Sequence, residues 1–363
     1  MKWVTEKFDD FVKLNRGFDL PNDKIVEGEY PVVASTDIKA YHNAYKVEGP
    51  GVVTGRSGSL GTVQYIRGKC WPLNTSLFVK DFKGNDPRFV YYYLQIMHLE
   101  NYNAGAGVPT LNQNHLHKIK IRIPESLIDQ QKLASILSRY DDLIEVNNRR
   151  IALLEASARE LYKEWFVRFR FPGYETAKFV DGLPEGWEKV AIGEVVSIIV
   201  GGDKPVDCEK QPTSTCTIPV YANGETDKGL MGYTSSARVT ENCVTVSARG
   251  NVGFVCLRRK PFTPIVRLLA VIPKAQVMNE LYLYQYLKSS QLFATGAAQQ
   301  QITAPLLNKE TIIVPRRETL FDFFKHCNKF YNTIEALEYQ NSLLSAQRDR
   351  LLPRLLSGDL SVD

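Results

Sequence analysis

The chain has few cysteines, and none of the six lies in a pair separated by two residues. Such pairs usually begin a zinc site, and a disulfide framework needs a denser and more regular set of cysteines. We therefore expect neither a structural zinc site nor a disulfide scaffold, and the composition fits a reducing, cytoplasmic compartment. The cysteines are Cys70, Cys208, Cys216, Cys243, Cys256 and Cys327.

Long apolar runs are also missing. No stretch approaches the roughly 18 uninterrupted apolar residues that would cross a bilayer. The first residues, MKWVTEKFDDF, lack the apolar core of a secretory signal. The expectation is a cytoplasmic protein without a membrane partner.

The common catalytic motifs are absent from the sequence. It has no phosphate loop of the Walker type, no HExxH metal motif and no GxSxG nucleophile motif. It also lacks the Asn-Pro-Pro-aromatic run of amino-methyltransferases and a glycine-rich loop for S-adenosylmethionine. The chain is therefore predicted not to be an enzyme by itself, with no catalytic residue, metal or cofactor of its own. The scattered histidines, for which packing or surface roles are favoured, are His42, His98, His115, His117 and His326.

The sequence instead contains a large internal repeat. Trp3 and Gly17 recur 184 positions later, Gly58 recurs at an offset of 192, and Gly105 at 191. Ile144, in the following segment, recurs at 190. A period near 190 residues is too long for a solenoid repeat and fits a whole domain with a connector. Two copies in one chain can present a two-fold symmetric face, and B-DNA is one ligand that could meet it.

The 363 residues are enough for two such domains with separate cores. The net charge of +5 and the pI near 8.7 are mildly basic. That balance is compatible with a polyanion such as DNA, although many soluble proteins reach it.

Each copy is predicted to be a mixed α and β domain followed by a long helix. Alternating runs such as GTVQYIR indicate strands, and the DPRFVYYYLQIMHL segment begins with a helix N-cap, Asp86, followed by Pro87. The glycines and prolines between Phe171 and Trp187 indicate a linker. The predicted divisions are 1–124 for the first domain, 125–170 for the first helix, 171–315 for the linker and second domain, 316–357 for the second helix, and 358–363 for a frayed tail.

The helices carry a heptad pattern. Steps of four and three from Leu133 reach Trp165, and the same stepping from Phe323 reaches Leu355. This pattern predicts a coiled coil, because two amphipathic helices packed on separate domains account poorly for such length. The seams match if the helices are antiparallel with facing residue numbers that sum to 488. Asn147 and Asn341 then face each other and select the register.

Two glycine segments are candidate contacts with nucleic acid. GRSGSLG (55–61) recurs as SARGNVG (247–253), with an arginine in both copies. A simple hairpin turn would explain the glycines equally well. Arginine and asparagine side chains suit bidentate contact with guanine and adenine edges. The candidate donors are Arg56, Ser57, Ser59, Arg249 and Asn251.

Basic residues follow the next strand in both copies, and a second pair of loops precedes the last strand of each domain. The basic residues could contact phosphates, although such clusters are often only solvated surface. The second loops, 105–112 and 296–303, contain amides that could read adenine, although such residues are also common in turns. The candidates are Lys69, Arg258, Arg259 and Lys260 for phosphates, and Asn112, Gln299 and Gln300 for bases.

Four segments in this order resemble the specificity (S) subunit of type I restriction-modification systems. The segment GAGVPTLNQNHLHKIKIRIP, followed by Asp129 to Lys132, resembles the family's strand-to-helix entry. The others are the helix end ELYKEWFVRFRF, the opening GLPEGWEKVAIGEV of the second domain, and the chain end RDRLLPRLLSGDL. With the repeat, the resemblance covers essentially the whole chain.

The resemblance implies an α+β fold, with two target-recognition domains separated by two long helices in an antiparallel coiled coil with pseudo-two-fold symmetry. Each domain would read one half of an interrupted double-stranded DNA site. The helices would set the spacing and dock two methyltransferase (M) subunits, and restriction (R) subunits would join them. S-adenosylmethionine, ATP and Mg would belong to those partners. The alternative is a coiled-coil scaffold that binds proteins without DNA specificity.

Overall fold

The computed structural model describes residues 1–290 and 301–360. The chain divides into two units. The first contains Met1–Asn148 and the segment that begins at Glu338, and the second contains Arg149–Leu337. Within the described ranges, no helix is long and apolar enough to cross a membrane.

The first unit mixes short strands with three short helices and then enters the first long helix. Its elements are β1 (Trp3–Lys7), α1 (Phe8–Phe11), β2 (Lys13–Arg16), β3 (Tyr30–Val33), β4 (Ile38–His42), β5 (Gly51–Gly55), β6 (Val63–Ile66), β7 (Trp71–Pro72), β8 (Ser76–Asp81), α2 (Pro87–Ile96), α3 (Gln113–Leu116), β9 (Lys120–Pro124) and α4 (Leu127–Tyr162). A short π-helical segment, Lys163–Val167, continues α4.

The second unit repeats this order after a small hairpin in the predicted linker. Its elements are β10 (Phe179–Val180), β11 (Leu183–Pro184), β12 (Glu188–Ala191), α5 (Ile192–Val195), β13 (Val196–Val200), β14 (Ile218–Tyr221), β15 (Leu230–Thr234), β16 (Cys243–Val246), β17 (Val255–Arg258), β18 (Thr263–Pro264), β19 (Leu269–Pro273), α6 (Glu280–Ser289), α7 (Ala304–Lys309), β20 (Thr311–Val314) and α8 (Arg317–Ser357).

The sheets of the two units have the same topology. A four-stranded sheet in the order β2-β8-β5-β6 recurs as β13-β19-β16-β17. A three-stranded sheet, β4-β3-β7, recurs as β15-β14-β18, and the antiparallel pair β1-β9 recurs as β12-β20. The repeat seen in the sequence is therefore a repeat of whole domains, and the predicted mixed fold is confirmed.

Local sequence explains the main elements. Strands β5 and β16 are buried along their whole length, which fits their nearly continuous apolar and small residues. Helix α2 begins where the Asp86 side chain accepts a hydrogen bond from the Phe89 N–H (2.8 Å), with Pro87 in the first turn. Asn279 caps α6 in the same way through the Tyr282 N–H (2.9 Å). Both caps fix the start of the helix that packs against the four-stranded sheet.

Each unit completes its core with segments of both long helices. In the first unit, Leu133 and Leu137 of α4 share one buried cluster with Leu352 and Leu355 of α8. In the second unit, the buried cluster contains residues from the end of α4 and the start of α8, namely Ala158, Tyr162, Phe323, Cys327 and Tyr331. In each unit, the main buried cluster is therefore shared between the domain and the helix pair.

The predicted antiparallel register is confirmed in both units. In the first unit, the side-chain N–H of Asn147 donates to Oδ1 of Asn341 at 2.9 Å. Asn147 is fully buried, and its own Oδ1 has no hydrogen-bond partner among the described residues. In the second unit, the rings of Trp165 and Phe323 lie 6.0 Å apart. Both pairs have residue numbers that sum to 488.

Two polar contacts hold the end of α8. The guanidinium of Arg348 donates to Asp141 of α4, because a carboxylate gives it a charged partner. The tail was predicted to fray from residue 358, but its first residues pair with the helix. Gly358 takes a left-handed conformation (φ +85°), and the Leu360 N–H donates to the Arg354 carbonyl (3.0 Å), so these residues cap the helix.

We predict that the buried Asn147, paired with the half-buried Asn341, lowers stability while fixing the register. Asn341→Ala removes an acceptor of the buried Asn147 amide and should cost about 1–2 kcal/mol. Replacing both by leucine should raise the midpoint of urea unfolding above that of the single variant, because no polar group is then left buried. A single variant as stable as the original chain, or a double variant no better than the single one, would contradict this.

Candidate nucleic-acid interface

The two glycine segments are the tips of equivalent hairpins. Residues 55–61 join β5 to β6, and residues 247–253 join β16 to β17. Gly58 and Gly61 have φ of +85° and +91°, and Gly250 and Gly253 have φ of +69° and +84°. Side chains disfavour this left-handed region, so the repeated glycines are a backbone requirement of the turn.

The second predicted loop lies directly beside the hairpin tip in each unit. In the first unit, the Gly58 N–H donates to the Pro109 carbonyl (3.0 Å), and the Leu111 N–H donates to the Arg56 carbonyl (2.8 Å). In the second unit, the Ile302 N–H donates to the Ala248 carbonyl (3.0 Å). The two loops therefore form one surface in the first unit, and in the second unit the described end of the loop, from residue 301, contacts the hairpin tip. Gln299 and Gln300 lie outside the described residues.

The hairpin tips present side chains that can donate hydrogen bonds. Arg249 and Asn251 are exposed, and Arg249 donates to Oε1 of Gln301 (2.9 Å). Ser59 is exposed and Arg56 is half-buried, and no hydrogen bond or ion pair engages the Arg56 guanidinium within the described ranges. Ser57 is half-buried, and its carbonyl accepts from the Ser35 hydroxyl (3.1 Å). Each tip thus offers one arginine to a ligand.

Asn112 has a structural task that the sequence did not reveal. Its Oδ1 accepts a hydrogen bond from the Asn114 N–H (3.0 Å) and caps α3. Bidentate reading of adenine needs both the oxygen and the amide nitrogen of an asparagine. Asn112 therefore positions the loop, and it would have to release its cap to read a base in that way.

Lys69 belongs to a small polar chain at the surface of the first unit. Its ammonium group donates to the Tyr45 hydroxyl (2.9 Å), which donates to Glu48 (2.8 Å). Because the hydrogen bond to Tyr45 and the neighbouring Glu48 carboxylate stabilise the charged form, the pKa of Lys69 is raised above its ordinary value. Lys69 is therefore a cation that is already partly neutralised.

The predicted basic cluster of the second unit is not one surface, because successive residues along a strand point to opposite faces. Arg258 is buried, with its guanidinium carbon 3.6 Å from the Tyr221 ring centre and its Nε donating to Thr245 (3.1 Å). Arg259 turns to α8, where it donates to Asn328 (2.6 Å). Only Lys260 is exposed. The phosphate contacts predicted for Arg258 and Arg259 do not fit this geometry, because Arg258 is buried and the Arg259 guanidinium is bound to α8.

Two residues that the sequence interpretation missed brace the hairpin tips. The Ser35 hydroxyl donates to the Ser57 and Thr75 carbonyls, at 3.1 and 2.8 Å. In the second unit, Oδ1 of Asn223 accepts from the Ala248 N–H (2.8 Å). The two bracing residues are 188 positions apart. This offset lies between the repeat offset of 184 near the start of the domain and that of 192 at the hairpin, and this gradual change in offset could have identified them.

The tyrosines of α2 and α6 pack into the interior of their units. Tyr92 and Tyr282 are each 1% exposed, and Tyr93 and Tyr284 are also buried. Burial raises the pKa of Tyr286 to about 12.

In the part of the chain that the structure describes, no group of three or more histidine, cysteine, aspartate or glutamate side chains could hold a metal ion.

We predict that Asn223 holds the second hairpin tip in place. Asn223→Ala removes the partner of the Ala248 N–H, and a hydrogen bond of this kind contributes about 1 kcal/mol. Amide hydrogen exchange at Ala248 should therefore accelerate roughly fivefold to tenfold. Ser35→Ala, in the first unit, is the control and should leave Ala248 unchanged. Unaltered exchange at Ala248 in the Asn223 variant would refute the brace.

Comparison with known proteins identifies the family. The model of the type I restriction modification DNA specificity domain matches residues 1–156 and again residues 184–343. A putative type I specificity subunit of Mycoplasma pneumoniae is 24% identical, over 97% of this chain and 98% of the relative. The specificity subunit of the type I restriction enzyme MjaIX of Methanocaldococcus jannaschii is 23% identical, over 99% and 94%.

A solved structure has the same fold. The crystal structure of the S subunit of a type I restriction-modification system from M. genitalium matches with a TM-score of 0.61 and 15% identity. The match covers 100% of this chain and 97% of that one. The family model covers most of the sequence in two copies, in agreement with the duplicated topology. The chain belongs to the family of type I restriction-modification specificity subunits.

Proposed function

We propose that this chain is the DNA-binding specificity subunit of a type I restriction-modification complex, in which each domain reads one half of an interrupted site. The observation that carries the proposal is the duplicated hairpin surface. Each unit presents an arginine at the same turn, beside a second loop, on a domain of the same topology. Two equivalent readers in one chain suit a site with two separate halves.

Base reading is assigned to the exposed donors of the hairpin tips. Arg56 and Arg249 are proposed to contact guanine edges, since the guanidinium fork matches the O6 and N7 acceptors. Asn251 is proposed to contact adenine, and Ser57 and Ser59 to support contacts in the first unit. Gln299 and Gln300 remain candidates from the sequence alone. Lys69 and Lys260 are proposed phosphate contacts that set the register on the duplex.

The long helices are proposed to dock two M subunits. In the first unit, large apolar side chains of α4 and α8 remain exposed, at spacings of three and four residues. They are Leu143, Val146, Tyr339 and Leu343. Contiguous exposed apolar groups on a helix are typical of a protein contact. Methyl transfer with S-adenosylmethionine, and ATP- and Mg-dependent steps of the R subunits, are assigned to the partners, in the cytoplasm.

Duplex binding tests this proposal against a coiled-coil scaffold without DNA specificity. The chain, mixed with its M subunits, should retain a duplex carrying its methylation site more tightly than a scrambled duplex. The affinity should fall steeply with salt, because phosphate contacts release counterions. Equal affinity for both duplexes at every salt concentration would favour the scaffold.

We predict that Arg249 acts on one half-site only. Arg249→Ala should weaken binding by about 1–3 kcal/mol and relax base preference in the half read by the second domain. Arg159→Ala, which removes an exposed arginine from α4, is the control and should change neither. Binding to duplexes randomised in one half at a time measures the effect. A loss in both halves, or in neither, would contradict the assignment.

We predict that helix length sets the spacing between the half-sites. Deleting residues 149–155 together with 333–339 removes one facing heptad, keeps Asn147 opposite Asn341, and shortens the pair by about 10 Å. The preferred spacer should shorten by about three base pairs. Deleting either heptad alone is the control and should disrupt folding, because the seams no longer match. A shortened protein that keeps the original spacer would refute the role of the helices.

A further inference from the structure

The strand that leaves each recognition hairpin is followed directly by an arginine bound to a long helix. Strand β6 follows the first hairpin tip, and Arg67 lies six residues after Gly61. Strand β17 follows the second tip, and Arg259 lies six residues after Gly253. A four-residue strand spans about 13 Å and bends little, so its far end sets where the hairpin tip points.

In the first unit, Arg67 binds two carboxylates that lie three residues apart on α4. Its Nη2 lies 2.5 Å from Asp142 and 2.7 Å from Glu145. Arg88 of α2 binds the same Asp142 through both Nη atoms, at 3.0 and 3.2 Å. Hydrogen bonds from Arg88 and Arg67 lower the pKa of Asp142 below its ordinary value, so this carboxylate remains charged.

The second unit repeats the contact with altered chemistry. Nη1 of Arg259 donates to Asn332 (2.9 Å) and to Glu335 (3.2 Å), and Nη2 donates to Asn328 (2.6 Å). Asn332 and Glu335 correspond to Asp142 and Glu145 at the helix offset of 190. The Arg259 side chain is 15% exposed, against 55% for Arg67. The arginine is kept in both units while its partners change.

A second polar contact joins each domain to the same stretch of helix. In the first unit, the Tyr92 hydroxyl of α2 donates to Asp141 of α4 (2.5 Å). In the second unit, Nε2 of Gln285 of α6 donates to the Tyr331 hydroxyl of α8 (2.7 Å). The tyrosine of this contact belongs to the domain in the first unit and to the long helix in the second. In addition to the shared apolar cluster, two polar contacts on different elements restrict the angle between the domain and the helix.

We propose that Arg67 and Arg259 are positioning residues that fix the angle of each recognition hairpin against its long helix. This inference rests on the proposed function. The two arginines make no contact with DNA. They set the positions of the hairpin tips through β6 and β17. Their removal loosens the geometry between the half-sites and leaves base reading at each tip intact.

The test compares three duplexes that carry both half-sites of the methylation site. Their spacers have the preferred length, one base pair more, or one base pair less. The chain is used in complex with its M subunits. Arg67→Ala and Arg259→Ala should each reduce the preference for the correct spacer about fivefold or more, while base preference within each half is retained. Asn332→Ala, on the helix, should reproduce the Arg259 effect, and Arg259→Ala with Asn332→Ala should add little to it. Arg350→Ala, an exposed arginine of α8, is the control.

The outcomes separate this inference from the proposed function. If the original complex shows no spacer preference, the proposed two-reader function fails, and the positioning role fails with it. If the original complex discriminates and both arginine variants discriminate equally well, only the positioning role is overturned. Lower thermal stability with unchanged spacer preference would show a merely structural role. If Arg259→Ala does not fold, the exposed Arg67 still provides the test.

Discussion

The antiparallel seam between α4 and α8 is the contact on which both domains depend. The main buried cluster of each unit includes one segment of each helix, so an error in register would misplace both of these clusters. The apolar heptads supply most of the stabilisation but would tolerate a shift by seven residues. The fully buried Asn147, hydrogen-bonded to Asn341, distinguishes the correct register from its neighbours at a cost in stability.

In each domain, the parts that support the fold are distinct from the hairpin tip proposed to read DNA. The repeated sheets, the helix caps and the arginine contacts with the long helices form the support, and they keep their place in both copies. The hairpin tips keep their left-handed glycines but differ in the side chains that they present, with Arg56 and Ser59 in one copy and Arg249 and Asn251 in the other. Under the proposed function this division has a purpose, because a bipartite DNA site needs one frame and two independent readers.

The sequence predicted the features that follow from period and spacing. The heptad register placed Trp165 against Phe323, and the glycine spacing located the turns, because both depend on local geometry. The sequence failed where the direction of a side chain decides its role. Arg258 and Arg259 are adjacent, yet one is buried against Tyr221 and the other binds α8. The braces Ser35 and Asn223 are far along the chain from the loops they hold, so only the tertiary fold brings them together.

The central claim is that the two domains read two separate half-sites. It is tested most directly by sequencing the methylated positions of genomic DNA from cells with and without this chain, in the presence of its M subunits. The account predicts one motif that depends on the chain, made of two specified segments separated by an unspecified spacer of constant length. A continuous motif, a spacer of variable length, or a methylation pattern that is the same without the chain would contradict it.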